Sequence, residues 1–269
     1  MMKKSILLTL CLILGIVAVK LSVIPLFQKP DEPLVVHDVN ILSSLKRSAK
    51  EKGTLNYLVL GDSVARGMGS QKPVQGYGSL VAKGLGKEEI SLKLINKGVS
   101  GQTSGKLAEY LQTPDIQEKI EEADLISLTI GGNDLVKVAL DDQNLISVWN
   151  KFNSIQKDYG KNLTRILADI RRWNPDAPII LTTLYNPLSP DVAFYRISNS
   201  LLNNWNDTMK QTANRYPLTH VVDIHQRLQE LQGNWLADQI HPNNKGYRMI
   251  AEGILDEIRS GEHVSASAE

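Results

Sequence analysis

Four polar side chains in this sequence are of the types that nucleophilic catalysis at a carbonyl carbon requires. Ser63 is a candidate nucleophile, because a hydroxyl attacks readily once a neighbouring base takes its proton. His241 is the candidate base, and Asp238, three residues before it, could hold the imidazole in one tautomer from the same short loop. The side-chain amide of Asn133 could donate a hydrogen bond to a developing oxyanion.

Ser63 follows a segment that is typical of a buried parallel strand. Residues 57–60 form a continuous apolar run, and Gly61 permits the sharp turn at which such a strand can end. The carboxyl ends of parallel strands are where open α/β sheets place their chemistry. The same pattern also fits an ordinary strand and turn in which Asp62 or Ser63 caps the next helix.

Two further loops contain paired glycines and follow later strands. The loop at 96–104 leaves its backbone free to approach a ligand, but it has neither the Walker spacing nor the G-x-G-x-x-G fingerprint of phosphate-binding loops. The segment 131–134 would bring Asn133 out at the carboxyl edge of the sheet. Taken alone, the second segment is explained more simply by an Asn-Asp turn that caps the following helix.

The elements that must position these residues alternate along the chain. Apolar segments predict strands, and apolar residues spaced by three and four predict amphipathic helices over 159–170 and 247–258. This alternation favours a parallel sheet that is covered on both faces. We therefore predict an α/β fold, a flavodoxin-like three-layer α/β/α sandwich. Its roughly five strands are expected at 56–60, 91–95, 124–130, 178–184 and 220–223.

Composition narrows the classes of function. The 269 residues carry a formal net charge of +1, which gives no reason to expect a nucleic-acid partner. The single cysteine, Cys11, excludes an intrachain disulfide and a thiol nucleophile in the folded domain. No zinc-ligand spacing is present, so we expect neither a metal nor another cofactor. His220 and His225 flank the fifth predicted strand, where we expect them to serve packing or surface polarity.

The N-terminal residues have the features of a membrane-targeting segment. Two lysines precede a long apolar stretch, and no small-residue cleavage site follows it, so residues 1–27 are predicted to be an uncleaved membrane anchor rather than a cleaved signal peptide. Residues 28–53 are then predicted to be a linker that contains one short helix around 41–52. The catalytic domain is predicted to span residues 54–262, and residues 263–269 are predicted to be a polar tail. Either form of the leader exports the domain, so an extracytoplasmic location is expected.

Four short motifs together resemble the SGNH (GDSL-type) esterase and lipase superfamily. They occur in the order of that family, and the resemblance covers about residues 56–259. One departure, Val64 in place of the usual leucine, is conservative. The motifs are Gly61-Asp62-Ser63, Ser100-Gly101-Gln102-Thr103, Gly131-Gly132-Asn133-Asp134 and Asp238-Gln239-Ile240-His241-Pro242-Asn243.

The resemblance implies a role for each candidate residue. Ser63 would be the nucleophile, His241 the general base and Asp238 the carboxylate that orients it. The oxyanion hole would consist of the backbone amides of Ser63 and Gly101 and the side chain of Asn133. Asp62 and Asp134 would then brace their loops rather than take part in catalysis.

The substrate is expected to be an acyl ester, and two loops are candidates for binding it. Residues 135–152 and 185–195 are rich in apolar side chains that would suit an acyl chain, although the same residues could simply cover the core. A lipid or lysophospholipid ester is the leading expectation. The alternatives are an O-deacetylase of cell-wall polysaccharide and, from another class, a non-catalytic binding module on the same fold. The oligomeric state is not indicated by the sequence.

Overall fold

The computed structural model of this chain describes residues 40–260 apart from 73, 140–144, 193–194 and 231–233, and for 136–139 and 145–150 it describes the backbone alone. The strands are β1 (Thr54–Gly61), β2 (Ser91–Asn96), β3 (Leu125–Thr129), β4 (Ile179–Thr182) and β5 (Thr219–Val222). The helices are α1 (Ile41–Lys52), α2 (Ser63–Arg66), α3 (Tyr77–Gly86), α4 (Ser104–Tyr110), α5 (Pro114–Glu121), α6 (Gly132–Ala139), α7 (Leu145–Trp173), α8 (Tyr195–Ala213), α9 (Ile224–Gln229) and α10 (Asn244–Ser260).

The strands form one five-stranded sheet in the order β2-β1-β3-β4-β5. Every pairing in it is parallel, and β1 lies between β2 and β3. Because neighbouring strands run the same way, the loops after β1 and β3 emerge side by side at one edge of the sheet. The predicted α/β fold with a parallel sheet of about five strands is confirmed.

The two faces of the sheet carry separate apolar layers, as the alternation of side chains along a strand requires. Leu58 and Leu60 of β1 face a layer that includes side chains of α4, α5, α7 and α8. Tyr57 and Val59 face the opposite layer, which includes side chains of α1, α3, α9 and α10. The result is the predicted three-layer sandwich, with its core on both sides of β1 and β3.

The structure differs from the predicted linker at residues 41–52, which form a helix that packs into the core. Helix α1 forms where a short helix was expected, but its apolar side is built into the core, with Ile41, Leu42 and Leu45 each 2% exposed or less. Asn40 caps the helix by accepting a hydrogen bond from the backbone N–H of Ser43 at 2.9 Å. Residues 41–52 are therefore part of the folded domain, not a spacer that leads to it.

The predicted N-terminal anchor and the C-terminal tail lie outside the described residues. Within residues 40–260, as far as the structure describes them, no helix combines the length and the apolar character that crossing a bilayer requires.

The turn after β1 depends on a glycine. Gly61 has a φ of +126°, and a Cβ added there would lie 1.9 Å from the carbonyl oxygen of Thr129 at the end of β3. The next residue, Asp62, donates its backbone N–H to that same carbonyl at 3.1 Å. A side chain at position 61 would force the two strands apart, so the close approach of β1 to β3 requires glycine.

Asp62 joins this turn to helix α2 from a buried position. Its carboxylate accepts hydrogen bonds from the backbone N–H of Val64 at 2.9 Å and from the Thr129 hydroxyl at 3.2 Å. Burial raises the pKa of Asp62 to about 6, although those hydrogen bonds act in the opposite direction. The expected bracing role of Asp62 agrees with these contacts, which fix the backbone just before and just after Ser63.

Removing the buried side chain of Leu42 tests the place of α1 in the core. Leu42→Ala should lower the free energy of unfolding by about 2–5 kcal/mol, because it leaves a cavity against the sheet. Arg47→Ala, at an exposed position of the same helix, is the matched control and should change it by less than about 0.5 kcal/mol. Urea denaturation of both variants measures the difference. An unaltered midpoint for Leu42→Ala would contradict the packing of this helix.

The burial of Asp62 predicts an unusual dependence of stability on pH. A carboxyl whose pKa is higher in the folded than in the unfolded state makes the folded protein less stable as pH rises. For Asp62 the free energy of unfolding should fall by about 3 kcal/mol between about pH 4 and pH 6. The asparagine of the Asp62→Asn variant cannot ionise. The melting temperature of the variant minus that of the unmodified protein should therefore increase from pH 4 to pH 7. Asp207→Asn, at an exposed site, is the control. A difference that stays constant with pH would refute this account.

Candidate active site

Ser63, His241 and Asp238 form a continuous chain of hydrogen bonds. The His241 Nε2 atom lies 3.0 Å from the Ser63 Oγ atom, and its Nδ1 atom lies 2.7 Å from Asp238 Oδ2. An ionised carboxylate can only accept, so the proton on the imidazole belongs on Nδ1, and Nε2 is left to accept from the serine hydroxyl. Ser63 and His241 are 178 positions apart in the chain, so the fold brings the start of α2 and the loop before α10 together.

Asp238 is held in its ionised form by its own loop. Its Oδ1 atom accepts backbone hydrogen bonds from Ile240 at 2.9 Å and His241 at 2.8 Å. These two bonds, followed by the one to the His241 side chain, lower the pKa of Asp238 to about 2. The carboxylate is therefore charged at neutral and mildly acidic pH and can accept the Nδ1–H of the imidazole there.

The loop that carries Asp238 and His241 is closed on itself by backbone and side-chain hydrogen bonds. Ala237 donates its N–H to the carbonyl of His241 at 2.8 Å. The side-chain amide of Asn243 donates to the carbonyls of Asn234 at 3.1 Å and Leu236 at 3.2 Å. Residues 234–243 are thus a small, cross-linked unit, which we call the His241 loop, immediately before α10.

Tyr185 anchors the His241 loop to the sheet. This residue follows β4, and its hydroxyl donates a hydrogen bond to the carbonyl of Ile240 at 2.6 Å, one residue before the imidazole. Its ring also packs edge-on against Trp235, with the ring centroids 5.1 Å apart. The sequence analysis did not select Tyr185 as a site residue, because its partners lie about fifty positions away and no local pattern relates them.

Asn133 begins the helix after β3, and its side chain reaches the neighbouring loop. One N–H of its amide donates to the carbonyl of Gln102 at 2.9 Å, which leaves the second N–H available for a ligand. The adjacent Asp134 is buried and accepts hydrogen bonds from Ser104, from the backbone N–H at 2.8 Å and from the hydroxyl at 2.7 Å. Asp134 therefore braces the loop at 96–104, as expected for it.

The backbone N–H groups of Ser63 and Gly101 are both unpaired within the part of the chain that the structure describes. Gly101 has a φ of +76°, and no atom lies within 4 Å of a Cβ built there. Its loop is tied to the serine turn, because Val99 donates its N–H to the carbonyl of Gly61 at 2.9 Å. Ser63 and Asn133 line the same cavity, whereas Gly101 is not among the residues that line it.

This cavity, which we call the acyl cavity, has a volume of about 350 Å³ and opens beside Ser63 and His241. Apart from these two residues and a few polar neighbours, its lining is apolar. That size lies near the lower end of the range of small-molecule sites, about 300–1,000 Å³. The apolar lining residues come from α2, from the start of α6, from α7, from the loop after β4, from α8 and from the His241 loop: Val64, Leu135, Phe152, Leu184, Pro187, Leu188, Leu201, Leu202 and Ile240.

Both predicted substrate loops contribute to this cavity, but only in part. Leu135 and Phe152 are the described lining residues of 135–152, and Tyr185 to Leu188 line it from 185–195. The structure does not describe the other apolar side chains of the first loop, from Val136 to Trp149. In the second loop, Phe194 also lies outside the described residues. Helix α8 contributes lining residues that the sequence analysis missed, because their helical spacing was indistinguishable from that of a core helix.

Metal binding finds no support in the described residues, where no three His, Cys, Asp or Glu side chains come together in a group that could hold an ion.

Comparison with known proteins identifies the family. Residues 59–249 match the GDSL-like lipase/acylhydrolase family. The chain is 28% identical over 210 residues to the spore germination lipase LipC of Bacillus licheniformis, a match that covers 75% of this chain and 95% of that protein.

Solved structures show the same fold. The lipase Lip_vut3 from a goat rumen metagenome superimposes with a TM-score of 0.67 at 25% identity, covering 75% of this chain and 96% of that one. The acetylxylan esterase Axe2 of Geobacillus stearothermophilus gives a TM-score of 0.56 at 22% identity, covering 76% and 94%. The family match spans the serine turn, the two glycine loops and the His241 loop, so this chain belongs to the GDSL-like lipase/acylhydrolase family and is a carboxylic ester hydrolase.

Proposed function

We propose that this protein hydrolyses acyl esters by a serine mechanism in which Ser63 is the nucleophile, His241 the general base and Asp238 its orienting carboxylate. The observation that carries the proposal is the unbroken hydrogen-bonded chain from Asp238 through His241 to Ser63, which opens onto an apolar cavity. A non-catalytic binding module would have no need to hold a base 3.0 Å from a serine hydroxyl.

The proposed reaction has two halves. In the first, Ser63 Oγ bonds to the ester carbonyl carbon while its proton moves to His241 Nε2, and the alcohol then leaves with that proton. In the second, water gives a proton to Nε2 and attacks the acyl-serine. The bond between the acyl carbon and Ser63 Oγ then breaks, Oγ takes the proton back from Nε2, and the carboxylic acid is released. Asp238 stabilises the imidazolium that forms within each half, between uptake of the proton by Nε2 and its transfer to the leaving oxygen, and its low pKa keeps Asp238 ionised throughout.

The negative charge that develops on the carbonyl oxygen needs donors. We assign this role to the backbone amides of Ser63 and Gly101 and to the second N–H of the Asn133 side chain. The support is that both backbone groups lack partners in the described residues and that the bond from Asn133 to Gln102 fixes its amide in place. Pre-organised donors of this kind contribute because they need no reorganisation as charge appears.

The substrate that fits best is an ester with an acyl chain longer than acetyl. The acyl cavity is predominantly apolar and runs from the catalytic serine towards α7 and α8, where Phe152 and Leu202 are 1% and 7% exposed. Each methylene that enters such a cavity contributes about 0.8 kcal/mol. We also propose that residues 1–27 tether the exported domain, which would hold this cavity near membrane lipids.

Alanine substitutions test the assigned roles. Ser63→Ala and His241→Ala should each reduce ester hydrolysis almost to the uncatalysed rate, and the double variant should be little worse because the two groups act as a unit. Asn133→Ala keeps nucleophile and base, so its turnover should fall on the order of 100- to 1,000-fold. Steady-state kinetics measure this, with exposed Asn203→Ala as the control. A fully active Ser63→Ala enzyme would refute the assignment.

A series of nitrophenyl esters tests the substrate class. kcat/KM should rise from the acetyl ester to longer chains, by about fourfold per methylene while the cavity still has room. Leu201→Trp, which narrows the cavity, should abolish this rise and spare the acetyl ester, whereas Ile197→Trp, on the same helix but 52% exposed, should not. Activity that is highest on acetyl esters in every variant would favour the deacetylase alternative instead.

A further inference from the structure

Asn206 of α8 fixes the chain just after it leaves β4. Its side-chain oxygen accepts the backbone N–H of Leu184 at 2.9 Å, and its side-chain N–H donates to the carbonyl of the same residue at 2.9 Å. Within a sheet, the two backbone groups of a residue are paired by a neighbouring strand. The amide of Asn206, which is 3% exposed, therefore takes the place of a strand beyond Thr182, where β4 ends.

Tyr185, the next residue, connects this fixed point to the His241 loop. Its hydroxyl donates to the carbonyl of Ile240 at 2.6 Å. Burial raises the pKa of Tyr185 above its ordinary value, so the hydroxyl keeps its proton and can donate. In the described part of the chain, the other hydrogen bonds of this loop stay within it or join it to α10, apart from the one to Ser63.

The peptide unit between Ile240 and His241 is bonded at both of its polar groups. Its carbonyl accepts the Tyr185 hydroxyl, and its N–H donates to Asp238 Oδ1 at 2.8 Å. A peptide unit is planar, so hydrogen bonds at its two opposite sides leave it little freedom to rotate. The Cα atom of His241 belongs to this plane, and its position helps to set the distance of 3.0 Å between the imidazole and Ser63 Oγ.

The two hydrogen bonds to this peptide unit have different origins. Asp238 lies in the His241 loop itself, so its hydrogen bond moves with the loop. Tyr185 follows a buried strand and Asn206 belongs to α8, so their hydrogen bonds attach the loop to the sheet that also carries Ser63. A misplacement of about 1 Å can lower a reaction rate about 100-fold, so this attachment affects the proton transfer directly.

We propose that Tyr185 and Asn206 are positioning residues for the base: Asn206 fixes the backbone beside Tyr185, and Tyr185 fixes the peptide unit before His241, so that Nε2 stays within reach of the Ser63 hydroxyl. This inference rests on the proposed function, since it concerns the base of the same reaction. Asn206 does not line the acyl cavity, so its effect on the base has to pass through Leu184 and Tyr185.

Tyr185→Phe removes the hydroxyl and keeps the ring that packs on Trp235. With nitrophenyl butanoate, kcat per active site should fall by about 5- to 100-fold and KM should change by less than about twofold, because the cavity is kept while the base is displaced. Titration with a fluorophosphonate counts the active sites, so a loss of folded protein does not affect the result. Tyr216→Phe loses a hydroxyl that bonds the carbonyl of Thr164 away from the acyl cavity, and this matched control should keep the unmodified kcat.

Asn206→Ala tests the first link of the series. It should also lower kcat per titrated site, and the double variant with Tyr185→Phe should be little slower than the slower single variant, because two residues in series do not act additively. Asn174→Ala is the control, since Asn174 is likewise a buried asparagine that bonds backbone groups, those of Ala123 and Ala177, at the opposite edge of the sheet. It should lower the melting temperature and leave kcat per titrated site unchanged.

The pH dependence distinguishes a displaced base from an altered one. His241 keeps Asp238 as its partner in these variants, so the midpoint of the kcat/KM profile should stay the same while its plateau falls. An unchanged kcat per titrated site in Tyr185→Phe, a shifted midpoint, or additive losses in the double variant would overturn this inference alone. An unmodified protein that the fluorophosphonate does not label at Ser63 would overturn the proposed function itself.

Discussion

The close approach of β1 to β3 at Gly61 is the constraint on which the site depends. With no side chain at this position, the carbonyl of Thr129 comes near enough to accept the backbone N–H of Asp62 at 3.1 Å. The chain then turns at once, and Ser63 becomes the first residue of a short helix at the edge of the sheet. A larger residue at 61 would displace the serine from His241, because the turn and the strand pairing share the same atoms.

Hydrogen bonds between buried side chains and neighbouring loops convert this sheet edge into a rigid arrangement. Asp62 joins the first loop to β3, Asp134 joins the third loop to Ser104 of the second, and Asn133 bonds to the carbonyl of Gln102. An unsatisfied buried polar group costs about 1–3 kcal/mol, so these hydrogen bonds contribute to the stability of the folded state. The donors proposed for the oxyanion are therefore held by contacts that also stabilise the fold.

The sequence was sufficient to predict what depends on local pattern. Continuous apolar runs predicted the positions of the strands to within a few residues. The fourth strand was predicted at 178–184 and is shorter in the structure, Ile179–Thr182, partly because Pro178 has no N–H to donate. The motifs also located Ser63, Asp238 and His241, whose roles remain predictions. Helix α1 was expected within a linker, because the burial of Ile41, Leu42 and Leu45 depends on side chains that are distant in the sequence.

What the sequence did not indicate depends on contacts between distant residues. Tyr185 and Ile240 are 55 positions apart, and nothing in either segment signals the hydrogen bond that joins them. The acyl cavity is formed in the same way, by the loop after β4, helices α7 and α8 and the His241 loop. In each of these segments the apolar side chains fit ordinary core packing, and they form a cavity only because the segments meet beside Ser63.

The His241 loop holds His241, Asp238 and part of the lining of the acyl cavity within ten consecutive positions, 234–243. It has no regular secondary structure apart from one isolated bridge between Leu236 and Pro242. The contacts that attach this loop to the rest of the domain include the hydrogen bond from the Tyr185 hydroxyl, whereas the strands pack into the apolar core. Segments with few buried apolar contacts open with less free energy than the core does. With the roles proposed for Asp238 and His241, detachment of this loop would stop ester hydrolysis while the sheet stayed folded, so loss of activity and unfolding of the core would be two separate events.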